Sequence, residues 1–490
     1  MAKKTAALLL AVLICAFAAG CTGQRVETGP QLAHNVARMW FPAERVSRFV
    51  LDGRLIDGEA AGQAFMDVSA DGRTGIAWVD TSAYFVDETG VRPLGTGIST
   101  AVVSFDGKYA LYHAEGELRM MAAGTQEYTV IETGLASVQQ IAASPATRSV
   151  LFTATYENDG VNRRTMLYSD GSLTPVYEGR SVMALAVSDD ASLRFFYDFE
   201  QGAFCVDRGG EEKVISTGCD SNTNYNFTND LSEVAFRTKD GVNYLYRVED
   251  GILTELGPGF DYTLKTDVYS MSTTTLIAYI NDVQSFLNGL WLVRSSVEGV
   301  YVYGVGRLTS EGKLEMLVEN ASDYKVGGGR IAWLGGGRLY STDMRGKTRE
   351  LASDVTSFVL SDDGTYVYYI SNAGSLFGIK GTGKPKKLDS NVSDCAQIGD
   401  TLFYIKDAEP HGTEKTGELC RLTALGSGEA VMHNAAAFDK RWGQLMVYAY
   451  PPEDGSGEPG LETDEGFTAC RVYFTADGAE LTLLGEGVER

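Results

Sequence analysis

Positive charge is scarce in this sequence. Its 490 residues carry 65 acidic side chains against 42 basic ones, a formal net charge of −23. That balance argues against non-specific binding to nucleic acid or an anionic membrane, since both need basic faces. Histidine is rarer still, with only His34, His113, His411 and His433. They lie far apart and none stands in H-E-x-x-H, so a zinc-protease helix is excluded. No G-x-S-x-G occurs, which disfavours a nucleophile-elbow hydrolase. No long helical segment is present in which such a domain might be built. After the first 20 residues no apolar run approaches the roughly 18–20 residues that span a bilayer, so a multi-span membrane protein is excluded. Proline is scarce at 11 residues.

What is abundant is glycine (56), tyrosine (25) and phenylalanine (21). With few prolines, these suit short strands joined by tight turns and exclude a coiled coil. The hydrophobic fraction of 44% is enough for a large core.

The first 20 residues read as a secretory signal: Lys3 and Lys4, an apolar stretch from Ala6 to Ala19, then Ala18-Ala19-Gly20-Cys21. Small residues before a cleavage point are what signal peptidases require. The cysteine after them resembles the bacterial lipobox, with Ala18 where that pattern usually has Leu. The resemblance implies lipidation of Cys21, a lipid-anchored chain outside the cytoplasm, and a place on the cell membrane or outer membrane. Residues 21–44 are then expected to be a tether. Loss of residues 1–20 removes two lysines and no acid, which deepens the acidity. Five cysteines remain: Cys205, Cys219, Cys395, Cys420 and Cys470. An odd number cannot all pair internally. Cys205 and Cys219 are near enough in sequence for a bridge, but buried thiols packing as small apolar groups are the favoured state.

From residue 45 onward a signature recurs: an apolar strand ending in Ser, an Asp/Gly turn, then an aromatic-rich strand. It stands as Val68-Ser69-Ala70-Asp71-Gly72, Val103-Ser104-Phe105-Asp106-Gly107, Val187-Ser188-Asp189-Asp190 and Leu360-Ser361-Asp362-Asp363-Gly364. Counting degenerate copies, starts fall near residues 69, 104, 144, 188, 228, 270, 326, 361, 398 and 438, a mean spacing of 41. Residues 136–179 divide into strands Val138–Ala143, Val150–Tyr156, Arg164–Ser169 and Leu173–Glu178. Asp170-Gly171 joins the third and fourth, and Glu249-Asp250-Gly251, Ser310-Glu311-Gly312 and Ala476-Asp477-Gly478 repeat that turn. Four antiparallel strands at a period near 40 predict an all-β fold, a β-propeller of four-stranded antiparallel blades. A single ring of eight to ten blades is favoured over two rings. An insertion or boundary is expected near 280–325. Val46–Ile56 is placed to close the ring against the C-terminal unit.

The units resemble TolB-like, WD-like propeller repeats, whose Ser-x-Asp-Gly turn joins the first two strands. The resemblance covers residues 60–490 and implies a fold, with no catalytic set.

Other motifs resolve into turns. Gly378-Ile379-Lys380-Gly381-Thr382-Gly383-Lys384-Pro385 has phosphate-loop spacing, but Pro385 replaces the hydroxyl and strands flank it. Lys384, Lys386 and Lys387 make a small basic spot that suits an acidic partner or protects a strand edge. Asp220–Asn226 alternates oxygen ligands but lacks the glycine and glutamate of a calcium loop. Gly327–Gly329 and Gly335–Gly337 read as hairpin turns. Residues 451–466 form an acidic, glycine-rich loop. Asp71, Asp106, Asp190 and Asp363 line one rim, where capping of turn N–H groups explains them better than a cation. No catalytic, metal or cofactor set emerges. The expected function is a ligand- or protein-binding scaffold of the cell envelope, anchored through its lipid, with a protein, peptide or glycan partner and no nucleic acid. The alternative is a propeller enzyme of lyase, glycosidase or cyclotransferase type, its carboxylates drawn from different blades.

Overall fold

Residues 135–176 show how the chain builds one unit. Strands Leu135–Ala143, Ser149–Tyr156, Arg163–Ser169 and Ser172–Val176 pair antiparallel in that order. These bounds lie within three residues of the expected ones. The second strand is buried along Ser149–Ala154, because a middle strand meets neighbours on both faces. The fourth is exposed or half-buried throughout. Asp170 and Gly171 take φ of 49° and 74°, the mirror-image turn that fits the twist of a two-residue hairpin.

The Ser/Asp turn has one geometry in every unit where it is described. The Ser104, Ser188 and Ser361 hydroxyls donate to Asp106, Asp190 and Asp363 at 2.8, 2.6 and 2.6 Å. The same hydroxyls accept the N–H groups of Tyr109, Leu193 and Tyr366 at 2.9, 2.9 and 2.8 Å. Each carboxylate accepts a further turn N–H, from Lys108, Ser192 and Thr365. The third residue after the serine is left-handed: Gly72, Gly107 and Gly364 at φ 70°, 70° and 69°. Thr147, Ala191 and Leu231 hold that same position at φ 55–57°, where a Cβ is costly. The rim aspartates Asp106, Asp190 and Asp363 are therefore turn caps.

The computed structural model describes residues 36–490, except 70–71, 158–162, 224, 229, 259–260, 264–267, 271–289, 298–299, 309–313, 362, 412–413, 442–443, 451–469, 476–477 and 489–490. The signal segment, Cys21, His34, Asp71, the Ser310–Gly312 turn, the 451–466 loop and part of the 280–325 interval thus lie outside the described residues. Every regular element among the described residues is a strand.

These strands form ten sheets, one of them seven-stranded. That large sheet divides at Ala435, within the long strand Glu429–Arg441. Its first part pairs backward with Glu414–Thr423 and its second forward with Gln444–Ala449. One strand thus ends one blade and begins the next. Divided so, the described residues form eleven blades. Blade 1 covers 37–61, blade 2 65–96, blade 3 100–132, blade 4 135–176 and blade 5 182–216. Blade 6 covers 225–258, with Val268–Ser270 paired onto its first strand, and blade 7 is built from Asp261–Thr263, Leu290–Val297, Val300–Leu308 and Leu314–Ala321. Blade 8 covers 323–352, blade 9 355–389, blade 10 392–432 and blade 11 435–488. Nine of the ten repeat starts fall at the first strands of blades 2–6 and 8–11. The start near 270 does not: Val268–Ser270 pairs with the first strand of blade 6, and residues 271–289 after it lie outside the described residues. Blade 1 carries no Ser/Asp turn and so lies outside the repeat. Its first strand, Ala37–Phe41, also lies inside the segment expected to be tether, which therefore folds from Ala37 onward.

A twisted sheet that is apolar on both faces cannot bury them alone, and neighbouring blades do it for each other. Blades 3 and 4 share Leu111, Leu118, Val138, Ile141 and Phe152. Blades 5 and 6 share Phe195, Phe204, Phe227, Val234 and Phe236. Within blades 2–5 and within blades 8–11 the first strands of successive blades touch, as Leu135–Ala143 touches Val182–Val187, so they are innermost. The ring closes between blade 11 and blade 1. Met39, Phe41, Val46 and Val50 pack on Met446, Val472, Phe474, Leu484 and Val488. Val46–Ile56 does meet the C-terminal unit, but by packing a separate sheet against it. Val46–Leu51 pairs with Ala37–Phe41 and with blade 1's own Arg54–Leu55 and Ala60–Ala61.

Because closure rests on side-chain packing, Phe474→Ala should be costly. The expected loss is about 3–5 kcal/mol, read as a lower urea midpoint by tryptophan fluorescence. An unchanged midpoint would show that blades 11 and 1 are not held by this cluster.

Candidate functional site

Blade 10 departs from the repeat. Its second and third strands, Thr401–His411 and Glu414–Thr423, run well past the first strand, Val392–Ile398. Lys406 stands opposite Val392, so everything from Asp407 to the hairpin tip projects beyond the blade. The pairing shifts between Lys406 and Glu409, and Asp407 takes φ 51°, the signature of a bulge. Gly417 faces that bulge. A Cβ there would sit 2.3 Å from the Lys406 carbonyl oxygen, so only glycine permits the approach.

Between this hairpin and the start of blade 11 lies a cleft of about 450 Å³. Asp407, Glu409 and Glu418 line it together with Thr416, His433 and Asn434. Lys406 Nζ lies 3.7 Å from Asp389, 3.9 Å from Asp407 and 3.7 Å from Glu418. Desolvation would lower the Lys406 ammonium's pKa, but the carboxylates, Asp389 foremost, carry it upward. Asp389 also accepts the Tyr404 hydroxyl at 2.7 Å. Burial, then this hydrogen bond, raises that phenol. His433 Nδ1 lies 3.8 Å from Glu418, and its ring is largely in solvent. Three lining carboxylates and Asp389 face one lysine, so the cleft has a surplus of negative charge. A guanidinium or ammonium group suits it. Among the described residues, no group of three or more His, Cys, Asp or Glu is placed to hold a metal ion.

The other residues singled out in the sequence are dispersed. His113 is buried in blade 3, with its nitrogens 3.2 Å from Ser99 Oγ and 3.3 Å from the Leu135 carbonyl. Cys205, Cys219, Cys395, Cys420 and Cys470 are all buried thiols. Burial pushes Cys205 up to about 12 and Cys420 up to about 11, so neither is a nucleophile near neutral pH. The Gly381–Pro385 segment is a turn between strands Leu376–Lys380 and Lys386–Asp389. Asp220 accepts the Asn222 N–H at 2.9 Å in an Asx turn. Gly328-Gly329 and Gly336-Gly337 are left-handed hairpin turns.

Several features escaped the sequence reading. Asn320, Asp354, Asn391 and Asn434 all take φ of 56–60° where an outer strand crosses to the next inner one. Asn and Asp tolerate that conformation, and their spacing was a usable signal. Asp87, deeply buried, is held by Arg92, Thr89 and the Gly124 N–H. Burial alone would raise its carboxyl, but these donors outweigh burial and lower it. The contact ties blade 2 to blade 3. The projecting hairpin had no signature in the repeat.

No family model matches the chain, and no curated protein matches it. Similar solved structures include TolB from Acinetobacter baumannii, at 15% identity and TM-score 0.30, covering 52% of this chain and 62% of that one. The match therefore spans less than two thirds of that protein's length. The tricorn protease is 12% identical at TM-score 0.29, covering 92% and 54%. Dihydro-heme d1 dehydrogenase NirN is 12% identical at TM-score 0.32, covering 75% of each. The propeller fold stands on the sheets described above.

Asp67, on the innermost strand of blade 2, sets a pH dependence. Burial pushes its carboxyl up to about 6, partly opposed by a hydrogen bond from Trp78. Its folded pKa lies above its unfolded value, so ionising it costs stability progressively from about pH 4 to 6, and fully above. Asp67→Asn is expected to stabilise by about 2–3 kcal/mol at pH 7 and by little at pH 4. Urea titrations at the two pH values test this. An equal effect at both would place the carboxyl at its ordinary value.

Proposed function

We propose that this chain is a lipid-anchored β-propeller of the bacterial cell envelope that binds a protein or peptide partner through the blade 10 hairpin. The supporting observation is the cleft beside that hairpin, with Asp407, Glu409 and Glu418 on its wall and a volume of about 450 Å³. Blades 2–5, 8 and 9 are regular four-stranded sheets and serve as a rigid scaffold. Recognition by projecting loops on a rigid scaffold is how such folds commonly bind. The excess of carboxylates favours a partner that presents an arginine or lysine side chain. The Cys21 lipid would keep the ring at a membrane surface where such a partner is met.

Cross-linking in intact cells, followed by purification of the full chain, should recover one stoichiometric partner. Glu409→Gln with Glu418→Gln should weaken its binding about tenfold, corresponding to one lost charge-assisted contact. Equal recovery by that double variant would sink the cleft as the recognition site.

Anchoring is tested separately. Cys21→Ala should move the protein from the membrane fraction to the soluble fraction. Retention of that variant in the membrane would overturn the lipid anchor while leaving the binding cleft untouched.

A further inference from the structure

Two adjacent turns run against the acidity of the protein. Residues 344–349 (Met344-Arg345-Gly346-Lys347-Thr348-Arg349) hold three basic side chains and no acid, and residues 380–387 hold four lysines and no acid. They are the third-to-fourth-strand turns of blades 8 and 9. In an antiparallel blade those turns lie at the same end as the Ser/Asp turns.

Arg330 brings the two together. It stands opposite Asp343 in strand register, at the start of the blade 8 turn. Its Nη1 donates to the Gly381 carbonyl of the blade 9 turn at 2.7 Å. Arg345, Lys347, Arg349, Lys384, Lys386 and Lys387 are all exposed. None of these six forms an ion pair among the described residues, whereas nearby Lys325, Arg338 and Lys406 do. Two acids flank the blade 8 turn: Asp343 spends its carboxylate on the Arg345 and Lys347 N–H groups, both at 2.9 Å, and Glu350 pairs with Arg338 at 3.0 Å.

The N-terminal segment enters at the same end of the ring. Val36 N donates to the carbonyl of Gly72, in the Ser/Asp turn of blade 2, at 2.7 Å. Fourteen residues separate Cys21 from Val36, a span of at most roughly 50 Å.

We propose that this patch rests on the anionic headgroups of the bilayer that carries the lipid, so that the Ser/Asp-turn end of the ring faces the membrane. The inference rests on the lipid-anchor reading. The net charge of the whole chain does not oppose it, because screening over about 8 Å lets the surface feel only the charges that face it. Asp106, Asp190 and Asp363 lie at this end in blades 3, 5 and 9; the four lysines of residues 380–387 outnumber Asp363 in blade 9, so the ring stands tilted, with blades 8 and 9 lowest. The acidic cleft and hairpin of blade 10 lie at the opposite end, where the anionic surface does not repel them and a partner can reach them. A basic patch added to a lipid anchor is the usual second signal that fixes a protein to a membrane.

The test places a fluorophore at either end of one blade. Thr382→Cys lies in the patch and Ala373→Cys in the opposite turn of blade 9, and both positions are exposed. The full chain is reconstituted into vesicles of phosphatidylcholine, alone or mixed with phosphatidylglycerol, that contain a headgroup quencher. Thr382→Cys should be quenched strongly in the mixed vesicles and Ala373→Cys weakly. The Thr382→Cys signal should weaken about tenfold in high salt, in phosphatidylcholine alone, or when Lys384, Lys386 and Lys387 are all changed to Gln. Equal quenching at both positions, or no dependence on anionic lipid, would overturn the proposal. So would a patch that instead captures an acidic protein and leaves the vesicle signal flat. Failure of the lipid anchor shows separately, in the fractionation of Cys21→Ala, because reconstitution reports orientation and not processing.

Discussion

Burial of apolar surface between neighbouring sheets is the constraint on which the rest of this structure depends. Each blade is apolar on two faces, and no blade covers its own. Leu111 and Phe152 are fully buried only because blades 3 and 4 lie against each other. The same holds for Phe195 and Phe236 between blades 5 and 6. Such a stack ends in exposed apolar surface unless it returns to its beginning, and the cluster joining blade 11 to blade 1 provides that return. The short sheet of residues 37–61 is therefore part of the ring although it carries none of the repeat signature.

The polar network at one end follows from the same geometry. Inner strands must reverse within a few residues beside their neighbours, so their N–H groups need local acceptors. Ser104 with Asp106, Ser188 with Asp190, and Ser361 with Asp363 supply them. Contacts between successive turns, such as Thr147 donating to Asp106 at 2.9 Å, extend the network from blade to blade. Much of the protein's acidity is thus spent on turns. The blade 10 cleft is different, because Asp407 and Glu409 stand beyond the first strand and gather with Glu418 and Asp389 beside Lys406. That contrast separates the two ends of the molecule. One end is regular, capped and locally basic at blades 8 and 9, and the other carries an irregular acidic hairpin.

Much of the fold was legible in the sequence for a physical reason. Strand and turn chemistry are local, and Ser-x-Asp-Gly followed by an aromatic strand encodes one reversal wherever it occurs. The strand bounds in blade 4 and the hairpin turn at Asp170-Gly171 followed from that local code. Blade 1 was legible only in part: the closing role of Val46–Ile56 could be read, but not that it belongs to a separate sheet, because its turn uses other residues and its place is set by packing on a segment about four hundred positions away. The cleft was illegible for the same kind of reason. Asp389, Lys406, Glu418 and His433 are unremarkable in sequence and meet only when Gly417 lets the bulged strand approach.

The sequence by itself determined the all-β architecture, nine of the ten repeat starts and the turn role of Asp106, Asp190 and Asp363, since each rests on contacts within a few residues. Only the tertiary structure decided that an eleventh sheet closes the ring, that the five cysteines are buried thiols, and that the cleft carboxylates of blade 10 and the basic turns of blades 8 and 9 lie at opposite ends. Those outcomes depend on which distant strands share a face, and hydrophobic burial settles that for the whole chain at once.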